Sequence, residues 1–160
     1  MSDKLKLVVC VVERDGNFLL PLKERKIGAG RRNGVGGKVE PGESFEAAAK
    51  REMQEETGAV VEQMKLAGSL QVISPSFTAE LEIFHVTRFS GEPLEQPGQG
   101  MTDFRWYPKE ALPFELMWPN DALWYPILIA GKQFHGEVEL SESGDVIRHT
   151  IQESDKLTAR

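Results

Sequence analysis

From Gly37 to Ala59 the chain reads GKVEPGESFEAAAKREMQEETGA, and the helix within it carries acid where its own pattern asks for core. Ser44 is placed to cap the N-terminus and Gly58 to end the last turn, so the spacing predicts a helix from Ser44 to Thr57. Phe45, Ala48 and Ala49 open an apolar stripe at helical spacing. One turn later the same stripe carries Glu52, Glu55 and Glu56. Residues three and four apart share a helix face, and like charges there cost ~0.2–0.5 kcal/mol per pair. Desolvating them without partners costs far more. A bound cation resolves the conflict. Carboxylate oxygens are hard ligands, which selects Mg²⁺ or Mn²⁺. Mg²⁺ takes one or two protein carboxylates and fills its shell with waters and substrate phosphates. The upstream GVGGK lets backbone approach a ligand closely and offers a carbonyl as a further oxygen ligand. Arg51 and Glu43 are expected to brace this loop against the helix as a salt bridge. The competing reading is a solvated acidic face on a surface helix.

The remaining sequence supplies a scaffold for such a helix. A length of 160 residues suits one domain, spanning 1–160, with its own core. KLKLVVCVVE reads as a strand buried on both faces in its middle, RDGN as a turn, and FLLPLK as the returning strand. ERKIGAGRRNGVGG reads as a loop. VVEQMKLAGSLQVIS, with a break at Gly68, and ELEIFHVTRF read as further strands, and FRWYP as a short one. PNDALWYPILIAG predicts a second helix, capped near Asn120 or Asp121 and kinked or started late by Pro126. A terminal hairpin turns at SGD. Strands with two separated helices imply an α/β class, a sandwich around a mixed sheet. The net charge of −6 argues against a polymeric nucleic acid partner, and makes a polyphosphate depend on cations. No apolar run is long enough to span a membrane. The single cysteine, Cys10, is expected to be a buried strand thiol, which suits a cytoplasmic protein.

The spacing of the acidic stretch carries a resemblance. Gly37, Glu43, Arg51-Glu52, Met53, Glu55-Glu56, Gly58 and Ala59 match the full Nudix box without a departure. The chain resembles the Nudix hydrolases. That resemblance implies an α/β/α sandwich around a mixed β-sheet, and hydrolysis of a nucleoside diphosphate linked to another moiety with divalent metal on the box glutamates.

A closer resemblance covers nearly the whole chain. GAGRRNGVGGKVEPGE, LPFELMWPNDALWYP and KQFHG are similar to the MutT-like diphosphatases of oxidised purine nucleoside triphosphates. By that resemblance Gly36, Glu52, Glu55 and Glu56 hold metal. Lys23, Gly37 and Lys38 lie along the nucleotide. Asn33 contacts the base, Trp118 stacks on it, and Asn120 and Asp121 stand where two acids read its edge; by side-chain chemistry Asn120 always offers an N–H donor and Asp121 can remain an ionised acceptor. Glu56 and then Glu52 are the candidates to take the proton of the attacking water. The expected products are a nucleoside monophosphate and pyrophosphate, from a monomer acting on small nucleotides. The chain departs from the pattern at Ile27, Arg32 and Val72, where aromatics are usual. It also has no glutamate in register before FRWY, leaving Gln99 or Asp103 as substitutes. Trp124, Tyr125, His85 and His135 are expected to be structural. The alternatives are a Nudix hydrolase of a nucleotide sugar, ADP-ribose or a dinucleoside polyphosphate, and a non-catalytic nucleotide-sensing module.

Overall fold

The long Val-rich strand sits at the centre. The computed structural model describes residues 3–154 and 156–157, so the remaining ends of the expected 1–160 domain lie outside the described residues. The elements are β1 (Asp3–Arg14), β2 (Asn17–Leu19), β3 (Leu22–Lys23), β4 (Val35–Lys38), α1 (Phe45–Thr57), β5 (Val60–Ile73) and β6 (Phe77–Ser90). They continue with β7 (Met101–Thr102), β8 (Trp106–Pro108), a 3₁₀ turn (Phe114–Leu116), α2 (Asp121–Ile129), β9 (Gln133–Leu140), β10 (Val146–His149) and β11 (Gln152–Ser154). Among the described residues the main sheet runs β10-β9-β5-β6-β1-β2-β8, with β4 also on β1 and β11 also on β9. It is mixed: β1 pairs parallel with β6 and β5 parallel with β9, while the other pairs are antiparallel.

Alternation along β1 sorts its side chains to two cores. Val8, Cys10 and Val12 pack with Val35, Phe84 and Val86 under Phe45, Ala48, Ala49 and Met53 of α1. Val11 packs with Phe18, Leu70, Ile83 and Phe134 under Trp124, Tyr125 and Leu128 of α2. Helices on opposite faces of one mixed sheet make the expected α/β/α sandwich. The packing reading of Trp124 and Tyr125 also holds: the two stack at 4.1 Å, and Trp124 stacks on Phe134 at 5.3 Å.

Two expectations need correction. The segment read as loop through Gly37 ends in a strand, because β4 supplies partners to the backbone of Leu7–Cys10. The returning strand is broken at Leu20–Pro21, so that β3 leaves the main sheet and pairs with β7, placing Lys23 opposite Met101. Asn120 stands at the N-cap position of α2, as expected, but its backbone is right-handed helical (φ −71°, ψ −15°) and its side chain makes no capping bond. Pro126 stays inside α2 without ending it; Pro126 and Ala122, one turn before it, are both exposed, so the carbonyl that loses its donor faces water. The break read at Gly68 is a register shift between Leu66 and Gly68, where any Cβ would run into the Phe134 ring at 2.1 Å.

Candidate active site

Helix α1 is built as its sequence demands. Ser44 accepts a hydrogen bond from the Ala47 N–H at 3.0 Å, and Gly58 closes the helix at φ +79°. Its acidic stripe faces β4. Glu56 is 7 % exposed, and its Oε1 accepts the Gly36 N–H at 2.9 Å. Burial and the neighbouring Glu52 charge push its carboxyl up to about 8, against the opposing pull of the Gly36 N–H and Lys23. Burial also raises Glu52, where Arg51 opposes it. Burial pushes the Lys23 ammonium down, and the charges of Glu56 and Glu52 hold it up.

Arg51 organises the rest. It grips Glu43 with two bonds, Nε to Oε2 at 2.7 Å and a terminal nitrogen to Oε1 at 2.9 Å, and donates to the Lys38 carbonyl at 2.9 Å. This is the expected brace, and it holds Glu43 down at about 2. The same guanidinium also bonds Glu52 at 2.9 Å and Glu55 at 3.1 Å. Among the described residues no three His, Cys, Asp or Glu side chains converge as a ready-made metal cage. Arg51 explains this, since it draws two of the three stripe carboxylates toward itself. Mg²⁺ needs no such cage, because one or two carboxylates plus waters and phosphates suffice. The residues present fit a hard divalent ion. Their donors are oxygens, buried Glu56 lacks a cationic partner in hydrogen-bond contact, and the bare Gly37 leaves open a space against Glu52 that a Cβ would fill at 2.6 Å. Lys38 is exposed at the end of β4.

A second wall lies at the far end of the glycine segment. Gly28 approaches Asn33 and Trp118 together: a Cβ there would meet Asn33 Nδ2 at 2.8 Å and Trp118 Nε1 at 3.1 Å. Asn120 and Asp121 follow Trp118 and are 5 % and 7 % exposed. No side-chain hydrogen bond to the Asn120 amide is found among the described residues, and it is therefore free for a ligand. Asp121 differs from expectation. Burial pushes its carboxyl up to about 7, only partly opposed by the Trp118 backbone and Arg31, so it is not simply an ionised acceptor. Asn33 and Gly36 are three residues apart, so the chain joining the two groups spans at most ~10 Å.

The NUDIX domain model matches residues 4–128. The chain belongs to the Nudix family. An oxidized purine nucleoside triphosphate hydrolase of Danio rerio is 34% identical over 158 residues, covering 98% of this chain and 99% of that protein. One of the same name from Mus musculus is 31% identical over 159 residues, covering 98% of this chain and 100% of that protein. Among solved structures, a MutT protein of Bacillus halodurans superposes with a TM-score of 0.80 at 26% identity, over 92% of this chain and 97% of that one.

This Nudix chain handles its departures in a way the sequence did not signal. Arg32 does not line the cleft as an aromatic would. It is buried, donates to the Leu20 carbonyl at 3.0 Å, and reaches the Asp103 carboxylate at 2.5 Å. Asp103 is also bonded by Arg105 at 3.2 Å, so it is spent on structure and offers little to a metal. Gln99 is exposed. Val72 is buried in the α2-side core and Ile27 is half-buried. His85 meets Glu13 at 2.7 Å, as a structural histidine should, and His135 lies 3.2 Å from Gln152. Sequence reasoning missed Arg31, which sits over the Trp118 ring at 4.5 Å from its centroid. Nothing in GRRN distinguishes it from its neighbour, because its side-chain partners, the Met117 and Ser143 carbonyls and the Trp118 ring, are distant in the chain.

Proposed function

We propose that this chain is a divalent-metal-dependent diphosphatase of oxidised purine nucleoside triphosphates, releasing a nucleoside monophosphate and pyrophosphate. The observation that carries the reading is the free, buried Asn120 amide beside Asp121 and Trp118. Asn33, against which Gly28 packs together with Trp118, stands three residues before Gly36, whose N–H is bonded by Glu56, and this short stretch of chain supports placing base and phosphates in one site. The full-length relatives named for this activity support it. Asn120 and Asp121 read the base edge, Asn33 bonds the base, and Trp118 stacks on it. Lys23, Gly37 and Lys38 lie along the phosphates. Glu52, Glu55, Glu56 and the Gly36 carbonyl hold Mg²⁺, or Mn²⁺. The ion neutralises phosphate oxygens and acidifies a coordinated water. Glu56 takes the proton of the attacking water, with Glu52 as the second candidate, and Arg51 with Glu43 fixes the helix against β4. Lys23 draws negative charge from the phosphates into a site that otherwise repels them.

We further read the protein as a cytoplasmic monomer of one domain acting on free nucleotides. No helix among the described residues is long and apolar enough to cross a membrane. The buried Cys10 thiol, pushed well up by burial, is inert.

Product release with Mg²⁺ is the deciding assay, across 8-oxo-dGTP, dGTP, ADP-ribose and a dinucleoside polyphosphate. The expected result is the highest kcat/KM for 8-oxo-dGTP, with no activity in excess EDTA. A preference for ADP-ribose or the dinucleoside compound would move the protein to another Nudix substrate class. A separate measurement tests the metal alone. Mg²⁺ binds only the assembled carboxylate face, so it should stabilise metal-free protein by RT ln(1 + [L]/Kd), or ~2.7 kcal/mol at a hundredfold excess over Kd, seen as a raised melting temperature. An unchanged melting temperature at saturating Mg²⁺ would mean the acids are merely solvated.

A further inference from the structure

Arg31 joins parts of the cleft that are far apart in sequence. Its backbone is tied to the phosphate side, because the Lys23 N–H donates to the Arg31 carbonyl at 3.0 Å. Its side chain crosses to the other wall. One terminal nitrogen donates to the Met117 carbonyl at 2.9 Å, and the other to the Ser143 carbonyl at 3.0 Å. Between these bonds the guanidinium lies over the Trp118 ring at 4.5 Å. Ser143 belongs to the turn between β9 and β10, which is itself seated on this pair. At Gly144, with φ +90°, a Cβ would meet the Arg31 guanidinium and Trp118 Cζ3, each at 2.9 Å. Only a residue without a side chain brings the turn this close.

We propose that Arg31 is a positioning residue for the nucleoside: it latches the β9–β10 turn onto Trp118, so that ring and turn form one rigid wall of the base pocket. The inference deepens the proposed function and rests on the base-stacking role assigned there to Trp118. The guanidinium lies over one face of the indole and satisfies two carbonyls at once. Lysine cannot replace it, because an ammonium has no plane to stack and no fork to span two carbonyls. Fixing the ring before substrate arrives removes an ordering cost from binding, so the latch acts on affinity and not on the chemical step.

The test uses whichever nucleotide the wild type turns over best, so it does not depend on that nucleotide being 8-oxo-dGTP. Arg31→Ala is expected to raise KM about tenfold with kcat within about twofold, the signature of lost uniform binding. Arg31→Lys should fail to restore KM. Gly144→Ala, whose Cβ pushes against both the Arg31 guanidinium and the Trp118 ring and so lifts the turn off the pair, should raise KM in the same way. Trp118→Ala should raise KM by itself, and adding Arg31→Ala in that background should change KM by less than about twofold, because residues in contact are not additive. A KM rise in Trp118→Ala with none in Arg31→Ala sinks the latch and leaves the base-stacking role standing. Full additivity of the two changes also sinks it, since Arg31 would then act apart from Trp118. No rise in either variant removes both the latch and the base-stacking role.

Discussion

Glu56→Gln is expected to lower kcat by ~10²–10⁴-fold, the usual worth of a positioned general base, with the fold intact. Glutamine keeps the shape and still offers an oxygen to the Gly36 N–H, which Glu56 accepts at 2.9 Å. What it loses is the charge and the ability to take a proton. Among the three stripe carboxylates, Glu56 is the one Arg51 does not hold. Glu52 and Glu55 each give an oxygen to that guanidinium, at 2.9 and 3.1 Å. Glu55→Gln should therefore cost less, since that side chain is 47% exposed and already shares Arg51 with two others. Steady-state kinetics with Mg²⁺, beside thermal melts of each variant, separate the cases. A near-wild-type kcat for Glu56→Gln with a retained melting temperature would exclude Glu56 as base and pass the role to Glu52.

The helix was legible because its signals are local. The Ser44 cap, the Gly58 stop and the stripe from Phe45 to Glu56 each work through steps of three or four residues, and the structure reproduces each. The Arg51–Glu43 brace was legible for a related reason, since eight residues separate the pair across one turn and one helix start. The strand β4 was not, because two of its four residues are glycines with low strand propensity. Its conformation comes from β1, whose backbone at Leu7–Cys10 needs partners on that side. The Arg32–Asp103 pair spans 71 residues and Arg31–Ser143 spans 112. No periodicity or short motif reports a contact at that separation. Asn120 was ambiguous in principle, because the same amide serves as a helix cap or as a ligand contact. Only the structure separates the two: Asn120 stands at the N-cap position, but its side chain makes no capping bond.

That outcome sharpens what Asn120 should do to base selection. The expected result is a preference for 8-oxo-dGTP over 2-oxo-dATP of roughly 5- to 150-fold in kcat/KM, the worth of one mispaired buried polar group at ~1–3 kcal/mol. Asn120 permanently offers N–H donors, which suit a guanine-type O6. Asp121 must then accept from N1–H and N2–H₂, and it does so best when ionised. Burial has pushed its carboxyl up to about 7. Below that pH Asp121 is neutral and carries a proton where the guanine edge carries its own; above it the carboxylate accepts freely. The preference should therefore grow as pH rises through about 7. Asn120→Asp places two carboxyls side by side, and the first charge raises the other's pKa, so one proton is shared between them. A shared proton allows either donor–acceptor order, which admits the 2-oxoadenine edge and narrows the ratio. The measurement is kcat/KM for both nucleotides, with both proteins, on either side of that pH. Equal efficiencies in the wild type, or a ratio that Asn120→Asp leaves untouched, would show that the amide does not read the base. A ratio that responds to the substitution but not to pH would leave Asn120 as the reader and remove Asp121 from that role.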